Sequence, residues 1–164
     1  MPASRTSDEA SARQTSQIRE ITARHRNRRG ALLPILHDVL NALGCVPPSA
    51  IPVIAEELNL SRADVHGVVT FYRDFRREPA GRTVVRICRA EACQAVGAEE
   101  LVRCAGAETG LEPGQTSADG ALTVDQVFCL GNCALGPSVQ IDGAVRGRMA
   151  PAGLRTVLRT AVNS

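Results

Sequence analysis

The sequence predicts an α/β protein in which an N-terminal helical bundle precedes a small mixed-sheet domain. Apolar residues recur at helical spacing in the first half of the chain, whereas after Gly81 they form short β-branched runs. Two cysteine pairs follow two of the predicted strands. We expect three parts: a polar N-terminal segment (1–30), the helical bundle (31–78) and the sheet domain (82–164).

The helical bundle is predicted from three amphipathic segments. From Leu32 to Leu43 the apolar positions repeat at helical spacing, and Gly44 stands where a C-terminal cap belongs. A second helix is predicted for about Ser49–Leu58. A third, for about Ser61–Tyr72, opens on Ser-Arg-Ala-Asp, a helix-capping pattern.

The N-terminal segment is polar, with Ile18 and Ile21 as its only large apolar residues between positions 7 and 29. It ends in a run of arginines before Gly30, which suits the C-terminus of a helix electrostatically. We favour a solvated helix end over a partner-docking or nucleic-acid patch. Its order could depend on a bound partner.

The sheet domain is predicted from four short runs, which lie at Thr83–Ile87, Leu122–Val127, Val139–Ile141 and Ala144–Arg146. The last two flank Asp142-Gly143, a strong signal for a two-residue hairpin. Helices are expected at about Ala98–Ala107 and at Gly153–Ala161. This order of elements indicates a mixed sheet covered by helices.

Composition excludes several classes of function. Aromatic residues make up 2% of the chain, which leaves no stacking platform for single-stranded nucleic acid. Between Cys88 and Asp142 there are two Arg against eight acidic residues, so a partner there should be basic or polar and not a phosphate backbone. Neither a signal-peptide core nor an apolar run of roughly 18 residues is present. We therefore expect a cytoplasmic protein without a membrane span, where disulfides are rare and six cysteines indicate metal or redox chemistry.

Four of the cysteines form two close pairs, Cys88 with Cys93 and Cys129 with Cys133. Each pair follows a predicted strand, and a loop that leaves a strand can turn two thiolates toward one point. Gly131 would let the second loop bring backbone amides close to sulfur, a main control of the reduction potential of a cluster.

Three chemistries could use these thiolates: zinc, two disulfides or an iron-sulfur cluster. Zinc sites prefer two-residue gaps within a pair, but gaps up to four occur, so the spacing leaves zinc open. Disulfides are disfavoured by the expected compartment. The spacing matches neither plant-type nor bacterial four-iron ferredoxins. From the residues alone we favour a redox cluster over zinc.

The remaining candidate ligands are better explained structurally. Cys45 and Cys104 are expected to be small buried apolar residues. His37 and His66 could serve a Rieske-type site, but neither lies near a cysteine pair in sequence, so helix packing or surface roles are favoured.

Two segments, CRAEACQAVGAEEL and FCLGNCALGPSVQIDG, resemble the cluster-binding loops of the thioredoxin-like 2Fe-2S ferredoxin family. The segment LLPILHDVLNALGCVPPSAIPVIAEELNLSRADVHGVVTFYRDF resembles the helical region of the same family, so the match covers about Leu32 to Val162. The resemblance implies a thioredoxin-like fold for the sheet domain and one 2Fe-2S cluster. The thiolate ligands that the resemblance implies are Cys88, Cys93, Cys129 and Cys133. Our hypothesis is that each pair holds one iron.

The family includes the small 2Fe-2S subunit of complex I, its counterpart in NAD-reducing hydrogenases and the gamma subunit of soluble NAD-dependent formate dehydrogenases. The residues around Cys93 and Cys133 look most like the formate dehydrogenase branch. The resemblance thus implies an electron-transfer subunit in formate oxidation coupled to NAD+ reduction, with complex I and hydrogenase as alternatives. The implied partners are a subunit that binds FMN and NAD and a larger Fe-S, molybdenum or tungsten catalytic subunit.

The sequence has no motif that indicates a substrate site or a catalytic reaction of its own. It lacks a dinucleotide fingerprint, a Walker loop and a nucleophile elbow. We expect no catalytic residue, and we expect Ser61–Phe75 to be the docking surface for the flavin subunit. A zinc-stabilised interaction module is the alternative from another class. A thioredoxin-like disulfide reductase is disfavoured because the Cys-x-x-Cys motif is absent.

Overall fold

The computed structural model describes residues 3–162, so the first and last two positions of the predicted terminal segments lie outside the described residues. By contact the chain forms two compact units, Met1–Pro79 and Ala80–Ser164. The finer division into 1–30, 31–78 and 82–164 stays a prediction.

The first unit is helical, and its four helices are α1 Ala3–His25, α2 Leu32–Leu43, α3 Ala50–Leu58 and α4 Arg62–Phe71. Gly44 caps α2 with a left-handed φ of 72°. The predicted capping box of α4 is confirmed: the Ser61 hydroxyl accepts a hydrogen bond from the Asp64 amide, and the Asp64 carboxylate accepts one from the Ser61 amide. The periodic apolar positions therefore form the predicted helices.

Helix α1 belongs to the core of the first unit. Ile18 and Ile21, one helical turn apart, are 0% and 2% exposed and join the same apolar cluster as Ile35, Leu36 and Ile54. This otherwise polar helix thus packs against the other helices of the unit through two isoleucines on one face. The dependence of this segment on a partner for its order stays a prediction.

The second unit is built on a five-stranded sheet with the order β2-β3-β1-β4-β5. Its strands are β1 Thr83–Cys88, β2 Gln115–Thr116, β3 Leu122–Val127, β4 Val139–Ile141 and β5 Ala144–Arg146. Strand β1 pairs parallel to β3 and antiparallel to β4, which confirms the predicted mixed sheet. Strand β2 was not predicted, because two residues are too few to show an alternating pattern.

Helices of the second unit are α5 Glu91–Gln94, α6 Ala98–Thr109 and α7 Pro151–Val162, and a short 3-10 helix spans Cys133–Leu135. Leu101 of α6 and Leu154 and Leu158 of α7 are at most 1% exposed and pack with the sheet residues Val85 and Val124. No helix among residues 3–162 is long and apolar enough to cross a membrane.

The predicted hairpin between β4 and β5 is confirmed. Asp142 and Gly143 have φ values of 48° and 87°, and Ile141 pairs with Ala144 across the turn. Two consecutive positive φ angles are those of the two-residue turn that Asp-Gly favours. Strand β4 also pairs with β1, where Val139 lies opposite Ile87, next to the end of β1 that carries the first cysteine.

Candidate metal centre

The first cysteine loop, residues 88–97, holds its two thiols inside the protein. Cys88 is the last residue of β1 and is 2% exposed, while Cys93 lies in α5 and is 1% exposed. Both pack with Ala98, Val127 and Leu130. Burial and a hydrogen bond with Cys88 raise the pKa of the Cys93 thiol. The first pair therefore sits in an apolar pocket.

The second cysteine loop, residues 128–138, presents its two thiols to solvent. Cys129 lies two positions after β3 and Cys133 opens the 3-10 helix, and both are exposed. Gly131 has a φ of 73°, and its N–H donates to the Cys129 sulfur at 3.3 Å. The sequence-based expectation that Gly131 brings an amide to a sulfur is confirmed.

Ser138 joins the two cysteine loops. Its carbonyl accepts a hydrogen bond from the Cys88 N–H at 3.0 Å, and its own N–H donates to the Cys93 sulfur. Its hydroxyl, which is buried, accepts from the Asn132 side-chain amide at 3.1 Å. Sequence reasoning missed this residue, because its contacts to Cys88 and Cys93 cross about fifty positions of the chain.

Two glycines keep space beside the second cysteine loop. A Cβ on Gly136 would lie 3.0 Å from the Val96 side chain and 3.5 Å from the Cys93 sulfur. A Cβ on Gly147 would lie 2.6 Å from the Leu135 carbonyl oxygen and 2.7 Å from the Asn132 side-chain nitrogen. The loop is thus closely packed at both glycines, and at Gly147 the neighbouring atoms lie too close to leave room for any side chain.

The structure brings the four predicted ligands together only in part. Cys93 interacts with Cys88 and, electrostatically, with Cys133, whereas the contact shown for Cys129 lies within its own loop. All four are free thiols. Among residues 3–162, no three His, Cys, Asp or Glu side chains are gathered at metal-ligand spacing.

The surroundings of the thiols fit an iron-sulfur group. Two sulfurs accept backbone N–H groups, from Ser138 and Gly131, and such hydrogen bonds stabilise the negative charge that cluster sulfurs carry. The first pair is enclosed by apolar residues, which limits solvent access. Thiolates also bind zinc, so the donor set by itself leaves that alternative open.

The other candidate ligands lie elsewhere. His37 and His66 belong to the first unit, where His37 packs edge-on against the ring of Phe75 and His66 is exposed. Cys45 is 5% exposed, as expected for a small apolar residue. Cys104 is only half-buried, and its S–H donates to the Pro151 carbonyl at 3.5 Å. The predicted burial of Cys104 is therefore met only in part.

Comparison with known proteins identifies relatives over nearly the whole chain. The family model for thioredoxin-like 2Fe-2S ferredoxin matches residues 18–161. A subunit of NADH-quinone oxidoreductase from Pseudomonas aeruginosa is 37% identical over 147 residues, which cover 90% of this chain and 89% of that protein. The corresponding protein of Escherichia coli is 33% identical over 150 residues, covering 92% and 90%. The NADP-reducing hydrogenase subunit HndA of Solidesulfovibrio fructosivorans is 29% identical, with 80% and 77% covered.

A solved structure shares the fold. The crystal structure of NAD+-reducing NiFe hydrogenase in its H2-reduced state aligns with a TM-score of 0.67 at 22% identity over 81% of this chain. This chain spans 22% of that hydrogenase chain, so the similarity shows the fold alone. Together with the family match over residues 18–161, it confirms the thioredoxin-like sheet domain behind a helical region. The chain belongs to the thioredoxin-like 2Fe-2S ferredoxin family and carries a 2Fe-2S cluster.

Proposed function

We propose that the chain is the electron-transfer subunit of an NADH-linked complex of the NADH-quinone oxidoreductase type. The observation that carries the proposal is the relationship, at 37% identity over 90% of this chain, to a protein named as a subunit of that complex. The predicted alternative is thereby better supported than the predicted formate dehydrogenase. The neighbours in such an assembly would be a subunit that binds FMN and NAD and a larger catalytic subunit.

We propose Cys88, Cys93, Cys129 and Cys133 as the thiolate ligands, one pair to each iron. When bound, a 2Fe-2S cluster supplies one-electron transfer. The chain's own residues would set the environment of that transfer. The apolar pocket around Cys88 and Cys93 excludes water, and the amides of Ser138 and Gly131 offset negative charge on sulfur. Gathering all four ligands requires the sulfurs to come closer than they lie in this structure.

The ligand proposal is tested by single substitutions. Cys88→Ser and Cys129→Ser each remove one proposed ligand, from the buried and the exposed pair respectively, while Cys104→Ser removes a thiol outside both loops. Iron, acid-labile sulfide, visible absorption and EPR after dithionite reduction are measured on anaerobically purified protein. We expect about two irons and two sulfides in the parent and in Cys104→Ser, and a lost or altered spectrum in the other two. Unchanged spectra in Cys88→Ser and Cys129→Ser would remove the ligand assignment, and a colourless zinc-containing parent would favour the structural-module alternative.

A formate dehydrogenase is kept as a second candidate because the residues around Cys93 and Cys133 look most like that branch of the family. The two candidates differ in the reductant that delivers electrons to the complex. The native complex is isolated through a tag on this chain and incubated anaerobically with NADH, formate or hydrogen before EPR. Reduction of the cluster by NADH alone supports the NADH-quinone oxidoreductase type. Reduction by formate in the presence of a molybdenum or tungsten subunit would replace that proposal with the second candidate.

Docking of the flavin subunit is proposed for the segment Ser61–Phe75. Phe71 at the end of α4 is 78% exposed and stacks edge-on with Tyr72 at a centroid distance of 5.1 Å, and exposed aromatic side chains of this kind are enriched at interfaces. Phe71→Asp tests the surface without disturbing the core, whereas Val68 packs against the core and is unsuitable. We expect Phe71→Asp to reduce co-purification of the flavin subunit and Asn41→Asp, an exposed position of α2 outside the proposed surface, to leave it near the parent level. Recovery at the parent level in Phe71→Asp would exclude this surface.

A further inference from the structure

We propose that Arg89 is a positioning residue of the cluster: it ties the two cysteine loops together and supplies the positive charge that raises the cluster's reduction potential. The inference rests on the proposed ligands, since Arg89 directly follows Cys88. The hydrogen bonds of Arg89 go to Gln126, Glu99, Gln94 and Val127, and none of these residues is a proposed ligand. It would act through the residues that enclose the first pair.

The backbone of Arg89 is held from two sides. Its N–H donates to the Val127 carbonyl at 2.7 Å, and its carbonyl accepts from the Gln94 side-chain amide at 2.6 Å. Val127 is the last residue of β3, two positions before Cys129. One hydrogen bond of Arg89 therefore fixes the start of the first cysteine loop to the start of the second.

The guanidinium of Arg89 repeats this link with its side chain. One terminal nitrogen donates to the Gln126 side-chain oxygen at 3.1 Å, and the other forms an ion pair with Glu99 in the first turn of α6. Gln126 precedes Val127 and Glu99 follows Ala98, and both Val127 and Ala98 pack against the first cysteine pair. The charge is thus held beside the pocket that surrounds Cys88 and Cys93.

One donor of this guanidinium is left over. The Nε of Arg89 is buried, and among residues 3–162 it has no hydrogen-bond acceptor. A buried donor without a partner costs free energy, and a cation without complete pairing costs more. A reduced cluster with four thiolate ligands carries negative charge. A guanidinium buried next to the first cysteine loop would therefore gain electrostatic attraction that offsets this cost.

The charge balance of the segment makes this arginine unusual. Between residues 88 and 142 the chain has eight acidic residues and only two arginines, Arg89 and Arg103. Arg103 is exposed on α6, whereas the Arg89 side chain is 27% exposed. A half-buried cation is screened less by solvent, so its field acts on the pocket. Its partner Glu99 opposes that field, which gives the two residues opposite expected effects on the potential.

The experiment measures the midpoint potential of the cluster by EPR-monitored redox titration of the isolated subunit, together with the rate at which iron is lost to a chelator. The variants are Arg89→Gln, Arg89→Lys and Glu99→Gln. The matched control is Arg159→Gln, which removes another arginine–glutamate ion pair of the same unit, with Glu108 between α6 and α7. Circular dichroism reports whether each variant is folded.

We expect Arg89→Gln to lower the midpoint potential and to lose iron about tenfold faster, as the loss of a charged hydrogen bond predicts. Arg89→Lys keeps the charge but not the two-point contact, so it should lose iron faster with a smaller change of potential. Glu99→Gln should raise the potential, and the control should match the parent. Opposite shifts from the two halves of one ion pair cannot come from general destabilisation.

Two results would overturn the inference: parental potentials in Arg89→Gln and Glu99→Gln, or shifts of both in the same direction. If Arg89→Gln does not retain a cluster, Glu99→Gln decides: a raised midpoint potential supports the inference, and a parental or lowered potential overturns it. Failure of the ligand assignment is distinguishable, because it would show as an intact cluster in Cys88→Ser and Cys129→Ser whatever the Arg89 variants do.

Discussion

The two cysteine loops offer the same chemistry in different settings. In the first, Cys88 and Cys93 are at most 2% exposed and are fixed by a strand end and a helical turn. In the second, Cys129 and Cys133 are exposed and are held by turns, by Gly131 and by the hydrogen bonds of Ser138. Half of the candidate site is thus part of a hydrophobic core, and the other half is a surface loop that depends on a few polar contacts.

The largest change in stability is expected from Gly147→Ala, which tests whether the second cysteine loop is closely packed. The added methyl group would meet the Leu135 backbone and the Asn132 side chain at 2.6–2.7 Å, so the second cysteine loop must shift. We expect a loss of about 3 kcal/mol in the free energy of unfolding, typical of severe overpacking. Urea denaturation measures it.

Gly106→Ala is the control for this substitution, because the nearest atom to its added Cβ is 3.8 Å away and the position is in α6. It should stabilise the protein by about 1 kcal/mol through helix propensity. If Gly147→Ala were as stable as Gly106→Ala, the close packing of the second loop would not hold.

The difference in exposure between the pairs can be measured directly by alkylation. In protein prepared without iron, Cys129 and Cys133 should react with iodoacetamide at least about tenfold faster than Cys88 and Cys93, because buried thiols need local opening. Peptide mass spectrometry over time gives the four rates. Equal rates would show that both loops open alike and would remove the contrast.

A smaller effect is expected from Ser138→Ala, which removes a buried hydroxyl of the second cysteine loop. The Asn132 amide would lose its acceptor at 3.1 Å, at a cost of about 1 kcal/mol. The alkylation rates of Cys88 and Cys93 should rise, since loosening the second loop at Ser138 weakens the hydrogen bond between its carbonyl and the Cys88 N–H.

Ser61→Ala loses a helix cap of similar worth in the other unit and serves as the control. Its alkylation rates should equal those of the parent. A parental pattern in Ser138→Ala as well would mean that the hydroxyl does not couple the loops.

The smallest effect is expected from removing an ion pair between α6 and α7, which tests whether the difference in thiol exposure depends only on the two cysteine loops. Hydrogen bonding to Arg159 lowers the pKa of Glu108 from its ordinary value of 4.5, so Glu108 stabilises the folded state above pH 4.5 and this contribution is lost as the pH falls through the lower, folded value. Glu108→Gln should therefore show a shallower loss of stability in acid. Denaturation at neutral pH and below pH 4.5 measures it, and the ratio of alkylation rates at neutral pH should not change. A parental acid dependence would contradict the assignment of this ion pair.

Local patterns in the sequence were sufficient for the helices, the main strands and the Asp142-Gly143 turn, because each depends on neighbours a few positions apart. They also placed both cysteine pairs after strands. They could not indicate the contacts of Arg89 with Gln126 or of Ser138 with Cys88, which span 37 to 50 positions and are brought about only by the pairing of β1 with β3 and β4. Helix α5, four residues long, has too few turns to show periodicity.

The hydrogen bond from Cys88 to Ser138 continues the ladder between β1 and β4, in which Ile87 pairs with Val139. The second loop is therefore anchored by strand register, not only by its own turns. A single residue inserted or deleted between Cys133 and Val139 could not be absorbed as an ordinary loop change. It would either present a different amide to Cys93 or slip β4 by one position, which turns its side chains to the opposite face of the sheet.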